Sequence, residues 1–311
     1  MSGCNPVVIW CFADAKSGHL SQTNGFIAAI SRQCECTVHH IHIADHSFNL
    51  FALVNAWLHK RTPEFFPADK PDLIIGAGHA THAQMLLARH LCGGKVLVFM
   101  KPSLPAGWFD ALVVPTHDKA SIDQQRLIET EGVLNNIPYV ANKSLDCGLM
   151  LIGGKSSHFE WNTVAVLAQI EMVLARSADT QWTLTTSRRT PDGFLDELAL
   201  VASYDRLTVV PYEDCGAGWL LQQFGQAGQV WVTADSVSMI YESLTSGAAV
   251  GVFTLEKGHG RIQAGLQRLI DAGTVMPFSV WQTQGRLVAP DISLNEAERV
   301  SSIILERWFG S

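Results

Sequence analysis

Short apolar runs alternate with stretches of helical periodicity along the whole chain. Pro6–Phe12 is continuously apolar, the pattern of a strand buried on both faces. Thr37–Ile43, Asp72–Ala77, Lys95–Met100 and Ala111–Pro115 read as further strands, and helices are expected over Gln22–Cys34, Phe48–His59 and His79–Leu91. Asn135–Ser144 is polar and turn-rich and marks a domain boundary. Beyond it strands are expected over Leu149–Ile152, Trp182–Thr186, Leu207–Pro211, Val230–Thr233 and Ala249–Phe253. The intervening helices are Trp161–Arg176, Gly193–Ser203, Gly218–Gln226, Arg261–Ala272 and Asn295–Trp308, the last capped by Ser293 or Asn295. Such alternation predicts an α/β chain of two doubly wound parallel-sheet domains, 1–143 and 144–311.

Gln229–Phe253 carries the densest signal. Val237, Ile240, Tyr241 and Leu244 make one apolar stripe, while Ser238, Glu242 and Thr245 make a polar one. Asp235-Ser236 is a helix-start signal and Gly247 a helix stop. A strand end therefore delivers a helix N-terminus, hydroxyls and one carboxylate to a crevice of the kind that holds phosphates in open α/β sheets.

A parallel sheet brings two further strand ends to the same edge, Gly153-Gly154-Lys155-Ser156 and Thr186-Ser187-Arg188-Arg189. Glycines let a backbone approach a diphosphate and an arginine neutralises it. Glu242, one turn into its helix, can accept the two hydroxyls of a ribose. Each signal also has a plain reading: Ser236 as an N-cap, Arg188-Arg189 as a solvated pair, Glu242 as a helix-surface residue. Their coincidence at strand ends favours a nucleotide-diphosphate site.

In the first domain the loop after strand one, Ala13 to His19, places His19 at a helix start with Asp14 nearby to orient it. A histidine there suits a general base acting on an acceptor hydroxyl, the plain alternative being a capping role. His40 with His42, and His79 with His82, have spacings that can hold a metal, but neither pair has a third ligand, so no metal site is expected. Lys60-Arg61 beside Phe65-Phe66 reads either as a contact for a membrane or an acceptor, or as a loop whose aromatics tuck onto the core.

Composition narrows the class. At 47% apolar and 16% charged residues the chain can bury substantial cores. No apolar run reaches the length of a membrane span, and the N-terminus lacks the basic flank of a signal peptide. Seven cysteines without a CxxC pair argue against a disulfide framework and for a reducing cytoplasm. Net charge is −7, which disfavours nucleic acid. Up to Leu145 there are 11 basic and 11 acidic side chains, against 11 and 18 beyond it, so the whole excess lies in the second part.

Taken together, several segments resemble the plant mitochondrial-fission ("elongated mitochondria") proteins and their bacterial relatives. They are Gly18-His19 with Gln22, Pro71–Gly78, Phe109–Pro115 with His117-Asp118, Leu151–Gly154, Thr185–Pro191 and Thr233–Met239. Ser17 and Ser21 stand where that family usually has proline and asparagine. The resemblance implies a GT-B-like fold: two Rossmann-like domains facing a cleft, an acceptor-side first domain, a nucleotide-sugar-binding second domain, and helix 294–311 crossing back to the first. Bacterial members are often labelled nucleoside-diphosphate-sugar epimerases. A GT-B enzyme that adds N-acetylglucosamine to a peptidoglycan lipid is similar at Gly18 and His19 on the acceptor side and at Ser236, Ser238 and Glu242 on the donor side.

The expected function is a metal-independent GT-B-type glycosyltransferase using a nucleoside-diphosphate sugar, UDP-linked among the alternatives, with no separate cofactor. His19 and Asp14 would be catalytic; Gly18, Gly153, Gly154, Ser187, Arg188, Asp235, Ser236, Ser238 and Glu242 would bind substrate. The alternatives are an epimerase or hydrolase of the same fold, and a non-enzymatic nucleotide-binding scaffold or membrane-fission adaptor. The acceptor is open, with a membrane lipid among the candidates, and the expected location is the cytoplasm, peripheral to the inner membrane.

Overall fold

In a computed structural model of the chain, residues 6–43, 50–116, 124–202, 205–256, 258, 260–290 and 294–310 are described. Two compact units emerge: unit 1 is Met1–Asn136 with Asn295–Ser311, and unit 2 is Ile137–Leu294.

Unit 1 is built from β1 (Val7–Ala13), α1 (Ser17–Gln33), β2 (Cys36–His42), α2 (Leu50–Leu58), β3 (Leu73–Ala77), α3 (His82–Cys92), β4 (Lys95–Phe99), β5 (Ala111–Pro115) and β6 (Leu127–Thr130). Its sheet runs β2-β1-β3-β4-β5-β6 with every pair parallel. Apolar side chains such as Ile9, Ile75, Leu97 and Val113 point to one face, and Trp10, Ile74, Val96 and Leu112 to the other, all fully buried or nearly so. That is why these strands read as uninterrupted apolar runs.

Unit 2 contains β7 (Cys147–Leu151), α4 (Thr163–Arg176), β8 (Gln181–Thr185), α5 (Phe194–Val201), β9 (Leu207–Val210), α6 (Trp219–Gln226), β10 (Gln229–Thr233), α7 (Val237–Thr245), β11 (Ala249–Phe253), α8 (Gly260–Asp271), β12 (Met276–Pro277) and α9 (Phe278–Gln284). Its parallel sheet runs β12-β11-β10-β7-β8-β9. Trp231 in β10 stacks on Phe253 at 4.9 Å and meets Trp281 edge-on at 5.3 Å. Burying one aromatic of this size stabilises by roughly 2–3 kcal/mol, so the strand that carries the candidate site is held firmly.

The last helix, α10 (Glu296–Phe309), packs on α1. Asn295 caps it by accepting from the Glu298 N–H at 3.2 Å, and Arg32 pairs with Glu298 at 2.6 Å.

Several details differ from the sequence expectation or decide between its alternatives. α1 begins at Ser17 rather than Gln22, because the Lys16 carbonyl accepts from the N–H groups of His19 and Leu20 and Gly18 is tolerated in a first turn. His19 therefore lies in the first turn of α1, at a helix start as the sequence places it. β6, β12 and α9 were not anticipated; each is too short for its periodicity to register. Thr245 faces inward, its hydroxyl donating to the Tyr241 carbonyl at 2.9 Å, so the polar stripe of α7 reduces to Ser238 and Glu242. Phe66 is buried against Trp10 and Phe12, which settles the Phe65-Phe66 segment as a loop tucked onto the core. Residues 48–49, His117, Asp118 and Ser293 lie outside the described residues.

Candidate functional site

Each sheet has one point where the chain reverses its direction of growth across the strands. In unit 1 it lies between β1 and β3, and in unit 2 between β7 and β10. Loops leaving the carboxyl ends of such neighbouring strands diverge and leave a crevice, the usual ligand position in doubly wound sheets. The sequence-expected site residues fall at these two points.

In unit 2 the loop after β7 contributes Gly153 and Gly154, the loop after β8 contributes Ser187–Thr190, and the segment after β10 contributes Asp235 and Ser236. These loops are tied to one another. The Gly153 N–H donates to Thr233 Oγ1 at 2.7 Å and the Gly154 N–H to Asp235 Oδ2 at 3.0 Å. Ser187 Oγ and Thr190 Oγ1 donate to the Gly153 carbonyl at 3.0 and 2.6 Å. Arg189 reaches across to Asp235 at 2.7 Å, where the Asp235 side chain is 0% exposed. A side chain at Gly153 would collide with the Asp235 carboxylate, and one at Gly154 with the Arg189 carbonyl. Glycine is required at both positions by this internal packing. Gly153, Gly154, Ser187 and Asp235 thus form the frame of the crevice, and the backbone donor at Gly154 is already engaged.

What the frame presents is different in character. Ser236 stands at the N-cap of α7, yet its side chain makes no capping hydrogen bond. The first-turn N–H groups of a helix have no intrahelical acceptor, so here they stay available with the positive end of the helix dipole. Ser238 is exposed in that first turn. The exposed Arg188 makes no hydrogen bond or ion pair among the described residues, unlike its neighbour Arg189. Glu242, half-buried one turn further along α7, has no partner for its carboxylate among the described residues, and burial pushes its pKa up to about 7. A second buried oxygen of Asp235, Oδ1, also has no partner among the described residues. A helix N-terminus with hydroxyls and a free arginine is chemically suited to an anion, and a carboxylate beyond it to a diol.

In unit 1 the corresponding point holds a satisfied pair. His19 Nδ1 lies 2.9 and 2.8 Å from the two carboxylate oxygens of Asp14, and Asp14 Oδ1 also accepts from the Lys16 N–H at 3.2 Å. With Nδ1 donating to the carboxylate, Nε2 carries the lone pair. Gly78, at φ +86°, passes directly over the imidazole, and any side chain there would collide with the ring. Gly18 differs: a Cβ would meet nothing within 4 Å, so packing inside the chain does not demand glycine there. Nearby, His82 is buried with Nδ1 3.2 Å from Ser103 Oγ, and its pKa falls to about 4, mainly through burial and secondarily through His79. Sequence reasoning missed Gly78 as a site element; its close contact with His19 joins residues far apart in the chain. Among the described residues no group of three or more His, Cys, Asp or Glu side chains converges as a metal site would need.

Two parallel, doubly wound sheets of six strands each among the described residues, with helices on their faces, define a protein of the GT-B type. Solved structures agree on that fold. UDP-GlcNAc 2-epimerase from Methanocaldococcus jannaschii matches with a TM-score of 0.58 at 12% identity, over 96% of this chain and 99% of that one. The glycotransferase of kitacinnamycin matches at 0.53 and 14% identity, over 97% and 99%. MnaA of S. aureus, solved with UDP, matches at 0.50 and 12% identity, over 97% and 96%. Comparison with curated proteins finds no match. The family model described as "Mitochondrial fission ELM1" matches residues 17–308, and the chain belongs to that family. No helix of the described residues is long and apolar enough to cross a membrane.

Proposed function

We propose that the chain is a GT-B-type glycosyltransferase whose unit 2 binds a nucleoside-diphosphate sugar. The observation that carries this reading is the uncapped start of α7 at the β7–β10 switch point, with Arg188 unpartnered beside it and Glu242 unpartnered one turn on. Arg188, Ser236, Ser238 and the first-turn N–H groups hold the diphosphate and balance the charge of the leaving group. Glu242 accepts the ribose hydroxyls. In unit 1, Asp14 holds the His19 tautomer so that Nε2 takes the proton of an acceptor hydroxyl. The acceptor oxygen bonds to the anomeric carbon, the carbon–oxygen bond to the phosphate breaks, and the electron pair leaves with the diphosphate. The presence of UDP in the S. aureus co-structure favours uridine as the first base to try.

Calorimetry against UDP, GDP, ADP and CMP tests the site. One diphosphate should bind, and Arg188→Ala and Glu242→Ala should each weaken it by about 10–100-fold, the range for a charge-assisted hydrogen bond. Unchanged binding in both variants would overturn the assignment. The rival reading, epimerisation or hydrolysis of the same donor, draws on the fold shared with UDP-GlcNAc 2-epimerase. Incubation with UDP-GlcNAc and no acceptor separates the two: release of an epimer or free sugar supports the rival. Failure of every nucleotide to bind at millimolar concentration would leave a non-enzymatic scaffold.

A further inference from the structure

Unit 1 carries an apolar groove of about 690 Å³ far in character from any polar crevice. It is lined by Leu53, Val54 and Trp57 of α2, Leu86 of α3, and Leu104 and Trp108 of the segment after β4. Trp57 is 50% exposed, Trp108 51%, and Leu58 beside them 62%. Trp57 lies stacked on His90 at 4.8 Å, so its ring is held outward on a support rather than left to collapse. Large aromatics at half exposure, adjoining an open apolar groove, are a cost in water unless something covers them.

Charge identifies what covers them. Residues 50–63 and 79–109 contain no Asp or Glu, Glu64 and Asp110 being the first beyond them, although the chain has 29 acidic residues and a net charge of −7. The same stretches hold Lys60, Arg61, Arg89, Lys95 and Lys101. Arg89 and Lys95 are drawn toward Asp110, at 3.4 and 4.0 Å. Lys60, Arg61 and Lys101 are exposed, and their side chains make no hydrogen bond or ion pair among the described residues. The three side chains left without a partner are all cations, and a two-fold contact made through them would set like charges against each other. Tryptophans with basic side chains around a short apolar helix are instead the composition that settles at the interface of an anionic bilayer.

We propose that the groove between α2, α3 and Trp108 docks unit 1 onto an anionic membrane surface, Trp57, Leu58 and Trp108 entering the headgroup layer and Lys60 and Arg61 facing lipid phosphates. The test is co-sedimentation of the full chain with phosphatidylcholine vesicles, pure or containing about a third phosphatidylglycerol. Binding to the anionic vesicles, weakened by salt and by about tenfold or more in Trp57→Ala/Trp108→Ala and in Lys60→Glu/Arg61→Glu, is the expected result. The second variant alters only exposed, unpartnered side chains, so an unchanged unfolding midpoint shows that the fold is intact. Equal binding to neutral and anionic vesicles, no binding to either, or binding indifferent to both variants would overturn the proposal. So would self-association that the same variants abolish, which would make the groove a contact between copies.

Discussion

The two switch points have the same topology and opposite states of satisfaction. In unit 1 the His19–Asp14 pair is matched internally: His19 is fixed by both Asp14 oxygens and pressed under Gly78. In unit 2 the frame is matched, through Arg189–Asp235 and the Gly153–Ser187–Thr190 bonds, but the surface it presents is not. The contrast separates two kinds of preparation. On the proposed function, a group that must keep one tautomer and direction is held by its neighbours, whereas a group that must bind a charged ligand is kept free of them, since every internal bond would have to be broken first.

His19→Asn is the sharpest way to break the comparison. It removes the proposed proton acceptor from unit 1 and, on the proposed function, should lower sugar transfer by about 10²–10⁴-fold while leaving nucleotide affinity unchanged, read by initial rates beside calorimetry. Equal loss of affinity would show that the two points do not divide the work. Next in size is Asp235→Ala, which releases Arg189 and deprives the Gly154 N–H of its acceptor. Because the Arg189 side chain is substantially exposed, the expected loss of unfolding free energy is about 2 kcal/mol rather than the larger figure for a fully buried pair. Denaturant melts check it, and Arg188→Ala, with no partner to lose, should leave the midpoint within about 0.5 kcal/mol of the parent.

Glu242→Gln has the most pH-dependent effect. The carboxyl is raised from 4.5 in the unfolded chain to about 7 in the folded one. Its contribution to stability is therefore full below about pH 4.5 and is lost as pH rises through about 7, where a half-buried charge must form. The glutamine variant should match the parent in acid and exceed it by about 2 kcal/mol above roughly pH 8. No pH-dependent difference between the two melts would mean that Glu242 is well solvated.

The alternation of strands and helices was legible because buried parallel strands leave unbroken apolar runs, and Asp14 with His19 was legible because the pair is local, five residues apart. Other features depend on contacts that periodicity does not encode. Arg188 and Arg189 are adjacent and identical in type; only the fold aims the second at Asp235, 46 positions on, and leaves the first outward. Asp235 and the two glycines read as ligand contacts because phosphate loops and tightly packed loops use the same residues. The Lys60-Arg61 segment suggested an aromatic contact through Phe65-Phe66, but among the described residues of unit 1 the most exposed tryptophans are Trp57 and Trp108, brought together from different parts of the unit.

The return of α10 to α1 bears on how the chain is made. Unit 2 is one continuous stretch, whereas unit 1 is split around it and draws its closing helix from residues 296–309. In order of synthesis from the N-terminus, the last residue of unit 2, Leu294, precedes the last residue of α10, Phe309, by 15 positions, so α10 is made after the whole of unit 2. Unit 1 therefore keeps an apolar face of α1 uncovered until a stretch encoded after the whole of unit 2 has been made.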